Sequence, residues 1–148
     1  MSSAFPLQPL LDLSNLRLDE AARRLGKLLS GEQEAAKRQA LLTEYREEYQ
    51  ARFVAAAKNG LSPKEWENYR SFLGRLDDAI GQAEAMVVQS KQRTAVGQKE
   101  WINKRGDVKA YDTLAQRHQT RVNYQEQRRE QKISDEHAAT RHGKRDEQ

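Results

Sequence analysis

Beyond residue 9 the chain carries a single proline, Pro63, at the end of the one cluster of turn-forming residues in its interior, Lys58-Asn59-Gly60-Leu61-Ser62-Pro63. The long stretches on either side are free to be helix, and one reversal is all the chain has for bringing two parts of itself together. Asn59 and Gly60 tolerate the left-handed backbone that closes a helix C-terminus. Ser62 then fits an N-cap, Pro63 the first helical position, and Glu65 the partner of a Ser-x-x-Glu capping box, with Leu61 and Trp66 as a hydrophobic staple. So short a link between two long helical segments predicts an antiparallel hairpin.

Composition agrees with rods more than with a globule. Apolar residues make up 36% of the 148-residue chain and charged ones 32%, too little grease for an ordinary compact core. The abundant residues, Ala, Leu, Glu, Gln, Lys and Arg, are those that lose least side-chain freedom in a helix. The predicted fold class is all-α, a long antiparallel two-helix coiled-coil hairpin whose second helix is longer than the first. One coiled-coil domain spans 1–148: helix one about 9–58, turn 59–62, helix two about 63–141 and a frayed tail 142–148.

Periodicity supplies the seam. In the first helix Leu18, Ala22, Leu25, Leu29 and Ala36 recur at threes and fours. In the second the repeat is longer: Trp66, Tyr69, Leu73, Leu76, Ile80, Ala83 and Val87, then Ser90, Thr94, Gly97 and Trp101, and on to Val122. Alternating steps of three and four keep one stripe facing a partner helix only if the two supercoil left-handedly. At the standard rise the second helix would be on the order of 120 Å long. Facing residues of such a hairpin have numbers that total about 121, so the first helix is exhausted opposite residue 111. From Asp112 the second helix continues alone, rich in charge and poor in large apolar residues. A single helix of that kind is marginal in water, and it is expected to order fully only against a partner.

Much chemistry is excluded. There is no cysteine, hence no disulfide framework, thiol nucleophile or cysteine metal site. His118, His137 and His142 are the only histidines, and none stands in a ligand-pair spacing. Phosphate-loop and nucleophile-elbow motifs are missing, and Glu44, Glu47 and Glu48 read as a solvated face, since a rod offers no water-excluding pocket to perturb them. No enzyme activity, metal, cofactor or small-molecule substrate is expected. No apolar run suits a signal peptide or a membrane span, so the expectation is a soluble, cytoplasmic protein. The net charge is +4. From Lys91 to Lys132 the balance is eleven basic to five acidic residues, and Trp101, Tyr111 and Tyr124 are rings that stack bases in other settings. Trp101 and Tyr111 fall on the seam, however, and no nucleic-acid partner is expected.

Near the turn each helix carries a second stripe: Leu42, Tyr45 and Tyr49 on the first, Phe72, Leu76 and Ala79 on the second. The register places these two stripes level, so they merge into one patch with three aromatic rings, the composition that protein interfaces favour. Two readings remain open: a patch that a partner covers, or a set in which Leu42, Tyr49 and Leu76 are simply seam residues.

Together, Asp19-Glu20-Ala21-Ala22-Arg23-Arg24-Leu25-Gly26, Tyr45-x-x-x-Tyr49, the Gly60 turn, Trp66-x-x-Tyr69-x-x-Phe72, and a late Trp101 with Asp135-Glu136 resemble the FliJ family of the flagellar type III export apparatus. The resemblance covers about residues 10–140. It implies a non-catalytic stalk that inserts into a hexameric export ATPase ring, contacts a membrane export gate and escorts export chaperones, peripheral at the cytoplasmic face of the inner membrane and a monomer when free. It implies that the gate meets Leu42, Tyr45, Tyr49, Phe72, Leu76 and Ala79, with Arg38 and Ala83 departing from the family pattern at the edge. Arg117, Arg121, Arg128 and Arg129 on the overhanging helix are the candidates for the ring. The alternatives are the equivalent stalk of a virulence-type injectisome and a self-associating structural coiled coil.

Overall fold

The computed structural model describes residues 4–146. They form α1, Gln8–Lys58, and α2, Pro63–Asp146, packed against each other as an antiparallel hairpin with α2 the longer, and no strand is present among the described residues. The first-turn and last-turn chemistry is as the turn cluster dictates. Gly60 takes a left-handed φ of 89°, where a side chain would be strained. The N–H groups of Asn59 and Gly60 donate to the carbonyls of Ala56 and Ala57 at 3.2 Å, tightening the last turn of α1. At the start of α2 the Glu65 N–H donates to the Ser62 hydroxyl oxygen at 3.2 Å, the forward half of the capping box. The Glu65 carboxylate makes no return bond among the described residues. It lies in solvent in the first turn, where the helix dipole favours an anion.

At its far end α2 does not stop near residue 141. It continues to Asp146, with Lys144 and Arg145 in the last turn, where cations complement the exposed carbonyls. The last two positions of the expected frayed tail, 147 and 148, lie outside the described residues.

Two compact units divide the chain. The turn-bearing unit, Asp19–Ile102, holds most of the seam. On α2 Tyr69, Leu73, Leu76, Ile80, Ala83, Val87, Ser90, Thr94, Gly97 and Trp101 are buried or partly buried, the expected repeat, with Phe72, Ala79 and Glu100 partly buried beside it. Trp66 departs from it: it stands in the first turn of α2, is 45% exposed, and meets Phe53 of α1 in an edge contact. On α1 the observed stripe is Ala21, Leu25, Leu28, Glu32, Ala35, Gln39, Leu42, Arg46, Tyr49, Phe53 and Ala56, strictly at threes and fours.

That stripe corrects the expected one. Ala22, Leu29 and Ala36 are exposed, and their immediate neighbours Ala21, Leu28 and Ala35 face α2. The physical reason lies across the seam. Gly97 leaves a gap that the Leu28 side chain fills so closely that a Cβ on Gly97 would lie 2.5 Å from Leu28 Cδ1. Thr94 reinforces the phase: its buried hydroxyl donates to the Ser90 carbonyl at 2.9 Å and reaches the Leu28 carbonyl at 3.4 Å. One ion pair, Arg24 to Glu100 at 2.6 Å, closes a flank of the same segment.

The terminal unit joins Met1–Leu18 to Asn103–Gln148. Leu11 and Val108 are its buried residues, Ser14, Leu18, Lys104, Tyr111, Ala115, His118 and Val122 are partly buried, and the Phe5 ring lies 5.7 Å from that of His118. From Asn123 to Arg145 every residue is exposed.

Two outcomes follow for stability. Leu28→Ala should destabilise the hairpin by about 2 kcal/mol in urea unfolding, while Leu29→Ala should stay within about 0.5 kcal/mol of the parent. The reverse order would assign the other phase to α1. Gly60→Ala should cost about 1 kcal/mol, since it places a Cβ on a left-handed backbone. An unchanged urea midpoint would show that the turn does not need that conformation.

Candidate functional site

Near the turn the seam becomes aromatic, and its rings interlock across the two helices. Phe53 meets Trp66 at 5.0 Å and Tyr69 at 5.4 Å; Tyr49 meets Tyr69 at 5.3 Å and Phe72 at 4.3 Å; Tyr45 meets Phe72 edge-on at 6.1 Å. Offset and edge contacts of this kind add about 0.5–1.5 kcal/mol each beyond area burial. They tie the end of α1 to the start of α2. Next to them the Arg46 guanidinium, at a seam position of α1, donates to the Asp77 carboxylate at 2.5 Å. Its hydrogen bond to that carboxylate, and then the charge itself, hold Arg46 above its ordinary range.

The six residues expected to form one patch are brought together, but they play different parts. Leu76 is 7% exposed and belongs to the core. Leu42 and Tyr49 are partly buried and lie on the α1 seam. Phe72 and Ala79, also partly buried, stand beside the α2 seam, and Tyr45, 44% exposed, stands beside that of α1. Tyr45, Phe72 and Ala79 thus share one flank of the hairpin, carried on a platform of Leu42, Tyr49 and Leu76. The seam reading holds for Leu42, Tyr49 and Leu76, and the other three stand on the flank beside them. The sequence reading did not name Met86, which lies seven residues beyond Ala79 on the same flank, 51% exposed. Its heptad spacing from Phe72 and Ala79 was the signal that could have found it.

The four candidate arginines, Arg117, Arg121, Arg128 and Arg129, divide as well. Arg117, Arg121 and Arg128 share a face of α2 by helical spacing, and Tyr124 lies among them, 60% exposed, with the Arg128 guanidinium 5.9 Å from its ring centroid. Leu114, 40% exposed, extends that face. Arg129 falls roughly a third of a turn away, in line with the seam residues His118 and Val122. Of the three rings weighed for base stacking, Trp101 and Tyr111 are partly buried at seam positions and Tyr124 is exposed. Among the described residues no group of three or more His, Asp or Glu side chains is placed to hold a metal ion, and no helix is long and apolar enough to cross a membrane.

The family model described as "Flagellar FliJ protein" matches residues 2–147. The chain belongs to the FliJ family. It is 33% identical over 132 residues to a flagellar FliJ protein of Salmonella typhi and 31% identical over 132 residues to one of Escherichia coli K12, in each case covering 89% of this chain and 90% of the relative. In this FliJ-family chain the turn-bearing unit carries an aromatic flank and the terminal unit a basic face on α2.

Leu76→Ala should lower stability by about 2–3 kcal/mol. Tyr45→Ala should cost less than about 1 kcal/mol and leave helical circular dichroism unchanged. Equal losses would place Tyr45 in the core.

Proposed function

We propose that this FliJ-family chain is a non-enzymatic component of the flagellar type III export apparatus, acting as a coiled-coil stalk. In this reading the terminal helix binds the hexameric export ATPase, the aromatic flank near the turn contacts the membrane export gate, and export chaperones are escorted by the same protein. Both named relatives are flagellar, which supports that system over a virulence-type injectisome. The location that follows is cytoplasmic, peripheral at the inner membrane.

The observation that carries the reading is Tyr45. Tyr45 is 44% exposed although its ring meets Phe72 of the aromatic ladder beside it. Aromatic anchors half-seated on a preformed platform bury much area on binding at little cost in rotamer freedom. A second support is the exposed run from Asn123 to Arg145. A helix with no apolar seam of its own gains order from a surface of opposite charge, and Arg117, Arg121 and Arg128 present that charge on one face. Arg129 is the weaker candidate, because it points along another line.

The two surfaces are separable by mutation. Truncation after Tyr111 should abolish stimulation of the export ATPase and leave gate binding intact, whereas Tyr45→Ala should weaken gate binding by about tenfold, the loss of one anchor, and leave ATPase stimulation unchanged. Pull-down against each partner with parallel ATPase assays reads both. Loss of both activities in either variant would refute the division.

A further inference from the structure

The turn that makes the hairpin also places a reactive pair in the open. Asn59 and Gly60 are both exposed and lie outside the helices: a Cβ built on Gly60 would meet nothing within 4 Å, and the Asn59 carboxamide takes part in no hydrogen bond among the described residues. The other four asparagines, Asn15, Asn68, Asn103 and Asn123, sit inside helices and precede Leu16, Tyr69, Lys104 and Tyr124. There the next residue's side chain crowds the carboxamide, and its N–H is held by the carbonyl four residues back. Asn123 is further engaged by Gln119 at 3.0 Å. At the turn the Gly60 N–H has one 3.2 Å bond to the Ala57 carbonyl, at a solvated helix end where opening costs little.

We infer that Asn59 is a self-modifying site, converting through a cyclic imide to isoaspartate and aspartate. The Gly60 amide nitrogen gives its proton to a solvent base and attacks Cγ of Asn59; the new C–N bond closes a five-membered ring and ammonia leaves with a proton from water. Water then opens the imide at one of its two carbonyls. Cleavage at the side-chain carbonyl leaves aspartate, and cleavage at the backbone carbonyl leaves isoaspartate, whose main chain runs through the former side chain. The net change is amide plus water to carboxylate plus ammonium, with nothing oxidised or reduced. The product carries a negative charge at the C-terminal end of α1, where the helix dipole opposes it, and in the isoaspartyl form lengthens the one connection between the helices. This inference is independent of the partner contacts proposed above.

The test is to hold the purified full-length folded chain in mildly alkaline buffer and follow each asparagine by peptide mass spectrometry and isoaspartate content. Asn59 should convert at least about tenfold faster than any of the other four, with isoaspartate among the products. Gly60→Ala, checked for retained helicity, should slow it by about tenfold, and Asn59→Gln, whose longer side chain cannot close the five-membered ring, should stop conversion at that position. Conversion of Asn59 no faster than that of the helical asparagines, or conversion only after urea unfolding, would overturn the inference.

Discussion

A chain that reverses once sets its register at one place. Gly60 with its left-handed φ, the paired N–H bonds that tighten the end of α1, and the Ser62 cap that starts α2 together decide which residue of one helix faces which residue of the other. The contacts of the turn-bearing unit follow from that alignment: Tyr49 on Phe72, Arg46 on Asp77, Leu28 over Gly97, Arg24 on Glu100. Few of them are strong alone. The seam is interrupted at Glu32, Gln39, Ser90 and Thr94, and polar seam residues weaken pairing while penalising other registers.

The same constraint explains why the aromatic cluster is divided between core and surface. Two helices share one seam, and a ring beside that seam has only half a wall to lean on. Near the turn the chain places six rings where a seam of two helices has room for about half of them. Tyr49 takes a place inside, and Tyr45 is held by its edge against Phe72. The ring is presented in a fixed direction by neighbours that are themselves packed, which is what a binding anchor needs.

The repeat of α2 was legible because Leu76 and Ala83 have charged or polar neighbours and Ile80 small ones, which fixes one phase even though Phe72 lies beside Leu73, and Met86 and Val88 beside Val87. On α1 the sequence is ambiguous in a specific way. Ala21-Ala22, Leu28-Leu29 and Ala35-Ala36 are doublets of the same residue, so two stripes of equal hydrophobicity run side by side. Only the partner decides between them, through the gap at Gly97. In the expected patch, level register sets Leu42 opposite Ala79, Tyr45 opposite Leu76 and Tyr49 opposite Phe72, but height does not tell seam from flank. The arginines of the terminal helix were legible as charge, and their division between faces needed helical angles, not counts.

The claim on which the functional reading rests is that the aromatic cluster has an inside and an outside, with Leu76 in the first and Tyr45 in the second. The chain contains no native cysteine, so single Tyr45→Cys and Leu76→Cys variants can be labelled with a thiol reagent in the folded state without interference. Position 45 should react as fast as a fully exposed control, and position 76 at least about tenfold slower, through opening of the hairpin. Equal rates at the two positions would contradict the account.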